Sequence, residues 1–275
     1  MLVAVVLFVV MDALGKYLSL RYPVIQVVWA RYAFHLLAMA PILLHPRVTV
    51  LTNRLGLQLL RSMCLLGTTF LFYSAVQHIP LATANAIAFV GPLLVTALSV
   101  PLLGERVGPR RWAAVFVGFI GVMVIIRPGA GMRDWAMLLP VGVAVCFAFY
   151  QITTRLLSRT DAALTTLFWT GAGGLLVSTA ALPFNWTTPD LFGWVLLASI
   201  GVVGCVSHLL MIKAYQAAPA AVLAPFIYTQ LVWAIPMGYV LFGDFPDSWT
   251  LVGAAIVVGS GLYVWYRESA RRRKD

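Results

Sequence analysis

The chain has 275 residues, 61% of them hydrophobic and only 10% charged, with a mean hydropathy of +0.93. Soluble domains carry about 25% charged and about 45–50% apolar residues, so a disordered protein, a small disulfide scaffold and a nucleic-acid binder are excluded. The formal charge of +10 does not restore the last of these, because the basic residues punctuate apolar runs instead of gathering on one polar face.

Long continuous runs such as Val115–Ile126 and Val141–Tyr150 also exclude a membrane barrel, whose strands alternate apolar and polar residues. The composition is that of an all-α integral membrane protein. A bilayer core of about 30 Å takes about 20 helical residues. In chain order, turn and charge signals predict ten transmembrane helices at 1–18, 24–45, 57–77, 81–102, 109–127, 134–156, 162–183, 191–216, 220–242 and 248–266. The first span has neither a basic leader nor a small-residue cleavage site, so it is not expected to be a signal peptide. Its shortness fits a trimmed native start. Short loops make neighbouring spans antiparallel and leave no room for a soluble domain. Cys64, Cys146 and Cys205 lie singly in apolar stretches and read as small packing residues.

Orientation follows from the distribution of basic residues. With the N-terminus inside, one side receives Arg47, Arg54, Arg61, Arg106, Arg110, Arg111, Arg155, Arg159, Lys213, Arg267, Arg271, Arg272, Arg273 and Lys274. The other side receives only Lys16, Arg21, Arg31, Arg127 and Arg133. Both termini are therefore expected in the cytoplasm.

The chain also repeats itself. Ala75-Val-Gln77-His-Ile-Pro80-Leu-Ala is echoed by Ala214-Tyr-Gln216-Ala-Ala-Pro219-Ala-Ala. Leu102-Leu-Gly104-Glu105 before Trp112 is echoed by Leu241-Phe-Gly243-Asp244 before Trp249, and Trp29 by Trp169. The offset of about 140 residues predicts two five-helix repeats, 1–128 and 134–266, followed by a basic cytoplasmic tail at 267–275. Five is odd, so the second repeat is expected to insert inverted. The loops agree: Arg106, Arg110 and Arg111 follow the first Gly-acid pair, whereas Gly243–Thr250 contains no base. Inverted repeats with a midplane site are the architecture of secondary transporters.

These landmarks resemble the ten-helix EamA-type exporters of the drug/metabolite transporter superfamily. The resemblance rests on Pro80-Leu-Ala82-Thr-Ala84, Gly91-Pro92, Leu103-Gly104-Glu105-Arg106 and Gly118-Phe-Ile-Gly121-Val122 in the first half. In the second it rests on Pro219, Leu223, Pro225, Gly243-Asp244 and Gly261, with Asp244 where Glu is commoner. It covers essentially the whole chain. It implies export of small metabolites, often amino acids, through a cavity between the halves of a bacterial-type inner-membrane protein. Aromatic amino-acid exporters belong to the group, and plastid and Golgi relatives carry sugar phosphates or nucleotide sugars.

Each intramembrane charge costs about 2.5–3.5 kcal/mol on insertion scales and needs a reason. Asp12 and Lys16 lie four apart on one face of the first helix, and Arg31 lies at a similar depth on the second. Lys16 or Arg31 would meet a substrate carboxylate and Asp12 an ammonium or a coupling proton; alternatively the trio satisfies itself, with Lys16 snorkelling outward. His208 offers a proton site or a packing histidine, and His35 is similar; His45 and His78 fall at helix ends. Asn85, Tyr228 and Gln230 lie in the proline-containing spans of the two repeats, where Gly91, Pro92, Pro225 and Pro236 would let those helices bend and move. Trp29, Trp169, Tyr73, Tyr150 and Phe89 could stack on substrate or hold an ammonium. Gln77 and Gln216 precede loop prolines and suit helix-end hydrogen bonding. Glu105 and Asp244 are predicted on opposite sides of the membrane and cannot share a proton.

No phosphate-cradling loop ends in Gly-Lys-Ser/Thr, no His-Glu-x-x-His helix occurs, and Asp12 is the only carboxylate well inside a span. An intramembrane enzyme or a scaffold is thereby disfavoured. The expected function is export of amino acids, aromatic and other neutral ones, by alternating access. Phosphorylated or nucleotide-sugar metabolites and lipophilic cations rank behind. No cofactor, metal or nucleic-acid partner is expected; the partners are the bilayer and a small-molecule substrate, with Asp12 and His208 permitting proton coupling.

Overall fold

In a computed structural model the described residues are 1–43, 49–104, 107–127, 135–157, 160–217 and 220–272, without the side chains of 103, 212, 215–217, 220–225 and 268–272. They form α1 (Leu2–Ser19), α2 (Val24–Leu43), α3 (Leu55–Val76), α4 (Leu81–Ala88), α5 (Gly91–Leu103), α6 (Pro109–Ile126), α7 (Leu139–Leu157), α8 (Ala163–Ala181), α9 (Leu191–Ala217), α10 (Ala220–Phe242) and α11 (Ser248–Arg272). Short 3-10 turns precede α7 and follow α8. Among the described residues nine spans are long and apolar enough to cross a bilayer, and Phe226–Phe242 of α10 adds a shorter apolar stretch. Exposed Phe116, Ile120, Leu176, Val232 and Val240 present a lipid-facing surface, because apolar side chains outside the core have no cost in hydrocarbon.

Two expectations need correction. The fourth span is not one helix: α4 stops at Ala88 and α5 starts at Gly91. Pro92 lacks an N–H and its ring crowds the carbonyl four residues back, while Gly91 removes the side chain that would brace the turn. A Cβ at Gly91 would lie 3.2 Å from the Phe147 ring, so the break also lets this segment approach α7. By contrast α10 runs unbroken past Pro225 and Pro236, since a lone proline deletes a single bond. The second correction concerns the tail: Arg267–Arg272 continues α11 as helix, and 273–275 lie outside the described residues.

Packing repeats along with sequence. Matching each span to the one five later, α3 packs on α7 as α9 does on α1, α2 on α9 as α8 on α3, and α5 on α7 as α10 on α1. The equivalent helices α2 and α8 pair with each other, as do α6 and α11. The latter pair approach through glycine: a Cβ on Gly121 would come within 2.9 Å of the Gly253 carbonyl, and one on Gly253 within 2.6 Å of the Gly121 carbonyl. Small residues drive close helix packing in lipid, where no hydrophobic effect joins helices. The two Gly-acid landmarks share one geometry. Gly104 (φ +67°) and Gly243 (φ +70°) are left-handed, donating to Val100 O and Tyr239 O respectively, as helix-ending glycines do.

Hydrogen bonds stitch the loops at both ends. At one end Gln26, fully buried, donates to Thr187 O (2.8 Å) and accepts from Thr187 N (2.9 Å), while Gln77 Nε2 donates to Ser19 O. At the other, Asp161 accepts from Thr52 and from Gln58 (2.7 Å), and Thr165 donates to Thr49 O (2.6 Å).

Candidate functional site

A cavity of about 250 Å³ lies where α1, α2, α3, α4, α5, α7, α9 and α10 converge. It runs along α1 from Met1 to Asp12 and stops short of Lys16. Its lining contains repeat-related pairs at a constant spacing of 139 residues: Phe8 and Phe147, Met11 and Tyr150, Asp12 and Gln151, Thr69 and His208, Phe72 and Met211, Ala88 and Ile227. The cavity therefore straddles the junction of the two halves, each contributing equivalent positions. Phe89 and Tyr228, also 139 apart, pack on each other with ring centroids 5.6 Å apart.

The polar chemistry breaks this symmetry. Both charges come from the first half. Asp12 is buried and accepts a hydrogen bond from Gln230 Nε2 at 3.0 Å; the same nitrogen lies 3.4 Å from Asn85 Oδ1. Arg31, equally buried, donates through one terminal nitrogen to Thr69 Oγ1 at 2.7 Å and lies 5.8 Å from the Tyr32 ring. Among the described residues no ion pair joins Asp12 to Arg31 or to any other base. Two opposite charges thus face one cavity with unused hydrogen-bonding capacity on each. Around them Phe8, Phe72, Phe89, Phe147, Met11 and Met211 supply an apolar wall.

Six of the ten substrate-binding candidates line this cavity: Asp12, Arg31, Asn85, Tyr150, His208 and Gln230. So does Pro92, and Phe89 beside it. His208 meets Phe8 edge-on at 5.0 Å and His35 at 6.2 Å. His35 is buried, and its Nε2 has no hydrogen-bond partner among the described residues.

Four candidates lie elsewhere. Lys16 neither pairs with Asp12 nor snorkels outward. Its ammonium forms an ion pair with Asp244, donates to Ile79 O at 3.2 Å and lies 4.9 Å from the Phe242 ring. The left-handed turn at Gly243 delivers Asp244 over the end of α1, while Asp12, one turn deeper, is taken by Gln230. Trp29 Nε1 donates to Thr179 at 3.1 Å and its ring meets Trp186; Trp169 Nε1 donates to Val50 O at 2.8 Å. These repeat-related tryptophans anchor loops at opposite ends of the bundle. Tyr228 lies over Gly261, where any Cβ would overlap its hydroxyl. The ring of Tyr73 similarly occupies the space above Gly15 and closes the cavity beyond Asp12. Of the remaining candidates, Pro236 lies inside α10 without lining the cavity, and the Pro225 side chain is outside the described residues, as are Glu105, His45 and the Gln216 side chain.

Arg61 escaped the sequence reading, which counted it among the cytoplasmic bases. It is buried in α3 and donates to Thr154 (2.7 Å), Thr166 O (3.1 Å), Thr170 and the Tyr150 hydroxyl (2.7 Å), with its guanidinium 4.4 Å from the Tyr150 ring. It holds a cavity residue in place without lining the cavity itself. The threonines at 154, 166 and 170, spaced on two helices, were its only sequence signal. Gln151, likewise unanticipated, lines the cavity opposite Asp12 in the repeat.

The model of the EamA-like transporter family matches this chain twice, at residues 1–127 and 134–266. An S-adenosylmethionine uptake transporter of Rickettsia bellii is 31% identical over 96% of this chain and 91% of its own. A riboflavin transporter of Vibrio cholerae is 30% identical over 100% and 95%, and the pseudopaline exporter CntI of Pseudomonas aeruginosa 28% over 91% and 89%. A solved crystal structure matches with a TM-score of 0.63 at 20% identity, covering 98% of both chains, and shows the fold alone.

Proposed function

The chain belongs to the EamA-like transporter family, a multi-pass membrane transporter of small metabolites and not an enzyme, and from that premise we propose that it carries a zwitterionic metabolite bearing an aromatic part. The observation that carries this reading is the pair of buried, unlinked charges in one cavity. The substrate ammonium docks on Asp12 and its carboxylate on Arg31, so each buried charge is neutralised only when substrate is bound. The aromatic part lies against Phe8, Phe72 and Phe147, where quadrupole-favoured ring contacts add selectivity.

Amino acids are the simplest members of this class, and S-adenosylmethionine, named for the Rickettsia relative, is a larger one. A dianionic phosphate fits less well, because Arg61 has its donors engaged by hydroxyls and a carbonyl, leaving Arg31 as the cavity's only basic side chain. Transport proceeds by alternating access between two inverted repeats, the halves rocking about the broken α4–α5 segment. Both termini lie in the cytoplasm of a bacterial inner membrane, as the asymmetry of basic residues argues. A carrier of this kind is reversible. Export is one direction of the exchange, and the relatives named above include both uptake and export proteins.

Counterflow in proteoliposomes tests the reading. Vesicles loaded with unlabelled tryptophan should accumulate labelled tryptophan, with S-adenosylmethionine competing and a sugar phosphate inert. Folded, inserted protein that accumulates no zwitterion would end it.

A further inference from the structure

The cavity has two equivalent polar positions, and only one is charged. Asp12 in α1 and Gln151 in α7 occupy matching places in the two halves, 139 residues apart, and both line the cavity. Asp12 is engaged by Gln230. The Gln151 carboxamide has no hydrogen-bond partner among the described residues, although the polar groups of Asn85, Thr68, Thr69 and Tyr150 around the same cavity each have one. An amide left open on a cavity wall is available to a ligand, since burying it unpaired has a cost.

A platform stands beside it. The rings of Phe147 and Tyr150, one turn apart on α7, are nearly parallel, with centroids 5.9 Å apart and an interplanar angle of 25°. Arg61 fixes Tyr150 through a hydrogen bond at 2.7 Å and by lying over its ring, so the platform is held before any ligand arrives. We infer that Gln151 and the Phe147–Tyr150 pair form a second subsite that takes a planar nitrogen heterocycle on the substrate's uncharged end. A carboxamide offers one donor and one acceptor side by side, the complement of the amino and ring-nitrogen edge of such a heterocycle, and a planar ring stacks on an aromatic face whatever its substituents.

This subsite rests on the carrier reading above and extends it: the charged half-site holds the zwitterionic head, the neutral half-site the ring. S-adenosylmethionine and riboflavin, the compounds named for two relatives, differ in charge and share a planar nitrogen heterocycle.

The test compares two competitors of labelled-substrate counterflow, methionine and S-adenosylhomocysteine, which share a zwitterionic head and differ by the adenosyl group. Gln151→Leu should weaken competition by S-adenosylhomocysteine about tenfold and leave methionine within about twofold. Equal weakening of both, or of neither, would overturn the subsite. Should Gln151→Leu fail to fold, Gln151→Glu keeps the shape and an acceptor but loses the donor, and the same selective loss is expected. A binding arm separates the two readings: adenosine should raise the melting temperature of detergent-solubilised wild type and not of the Gln151 variant, whether or not zwitterions are carried. If adenosine shifts both alike, the subsite is wrong; if it shifts only wild type while no zwitterion is transported, the subsite stands and the carrier reading falls.

Discussion

Lys16, in the last turn of α1, pairs with Asp244, just beyond the end of α10. The other ion pair among the described residues, Arg127 with Asp247, joins α6 to the start of α11. Both pairs bridge the two family-matched segments, and with Tyr73 over Gly15 the Lys16 pair seals the cavity at the end away from Met1. Alternating access requires that seal to part. Neutralising either partner, by Lys16→Met or Asp244→Asn, should therefore shift the balance of open states. The exchange rate should change about tenfold, because Lys16 is buried and loses a partner there. The swapped pair, Lys16→Asp with Asp244→Lys, should restore part of the rate. If the single variants exchange like wild type, the pair is not a gate.

Asp12→Asn keeps the Gln230 contact and removes the charge. Zwitterion affinity in counterflow competition should fall about 10- to 100-fold, the range of a charge-assisted hydrogen bond, while an analogue lacking the ammonium should compete as before. Equal loss for both compounds would assign Asp12 to packing.

Arg61 binds through a planar fork to groups on α7 and α8, a geometry that lysine cannot copy. Arg61→Lys should raise the apparent KM for a substrate that stacks on Tyr150 more than it lowers the maximal rate. Arg61→Gln should lower the melting temperature as well, since several hydroxyls lose their donor. Identical kinetics for Arg61→Lys would show that Tyr150 holds its place unaided.

Asp161 lies in the loop between α7 and α8. Desolvation opposes its ionisation, but hydrogen bonds from Thr52 and Gln58 outweigh it and hold the carboxyl below the usual value. A depressed native pKa means that the unfolded chain binds more protons, so this contribution is present above about pH 4 and is lost as pH falls through the native value. The melting temperature of wild type should drop below about pH 4 more than that of Asp161→Asn, which forfeits the contribution at every pH. Parallel curves would remove Asp161 from the acid transition.

Gly104→Ala and Gly243→Ala each force a side chain into a left-handed backbone, at φ +67° and +70°. A loss of about 1–2 kcal/mol is expected at each. Open space surrounds both positions, so the cost is purely conformational and should be similar in the two, read as equal drops in melting temperature.

The span pattern, the twofold repeat and the intramembrane charges were all legible in the chain. Apolar periodicity and turn residues place helices within a few positions, because a bilayer leaves the backbone no other way to satisfy its hydrogen bonds. The α4–α5 break was only half visible: Gly91-Pro92 marked it, yet Pro236 carried a similar mark and α10 runs through it. Hydropathy cannot separate a helix that breaks from one that tolerates the missing bond, since both are equally apolar.

Sequence by itself determined that this is a ten-span, two-repeat membrane carrier and that Asp12, Lys16 and Arg31 needed an explanation. Tertiary structure decided which of them share a cavity. Lys16 sits one helical turn from Asp12, but its partner stands 228 residues away; Arg61, counted as a topological base, is buried beneath Tyr150; and two repeat-related tryptophans end on separate loops. Local spacing constrains only the face of a single helix. Which side chains meet across helices depends on long-range packing, and here that packing follows the twofold match of the halves while the polar residues depart from it.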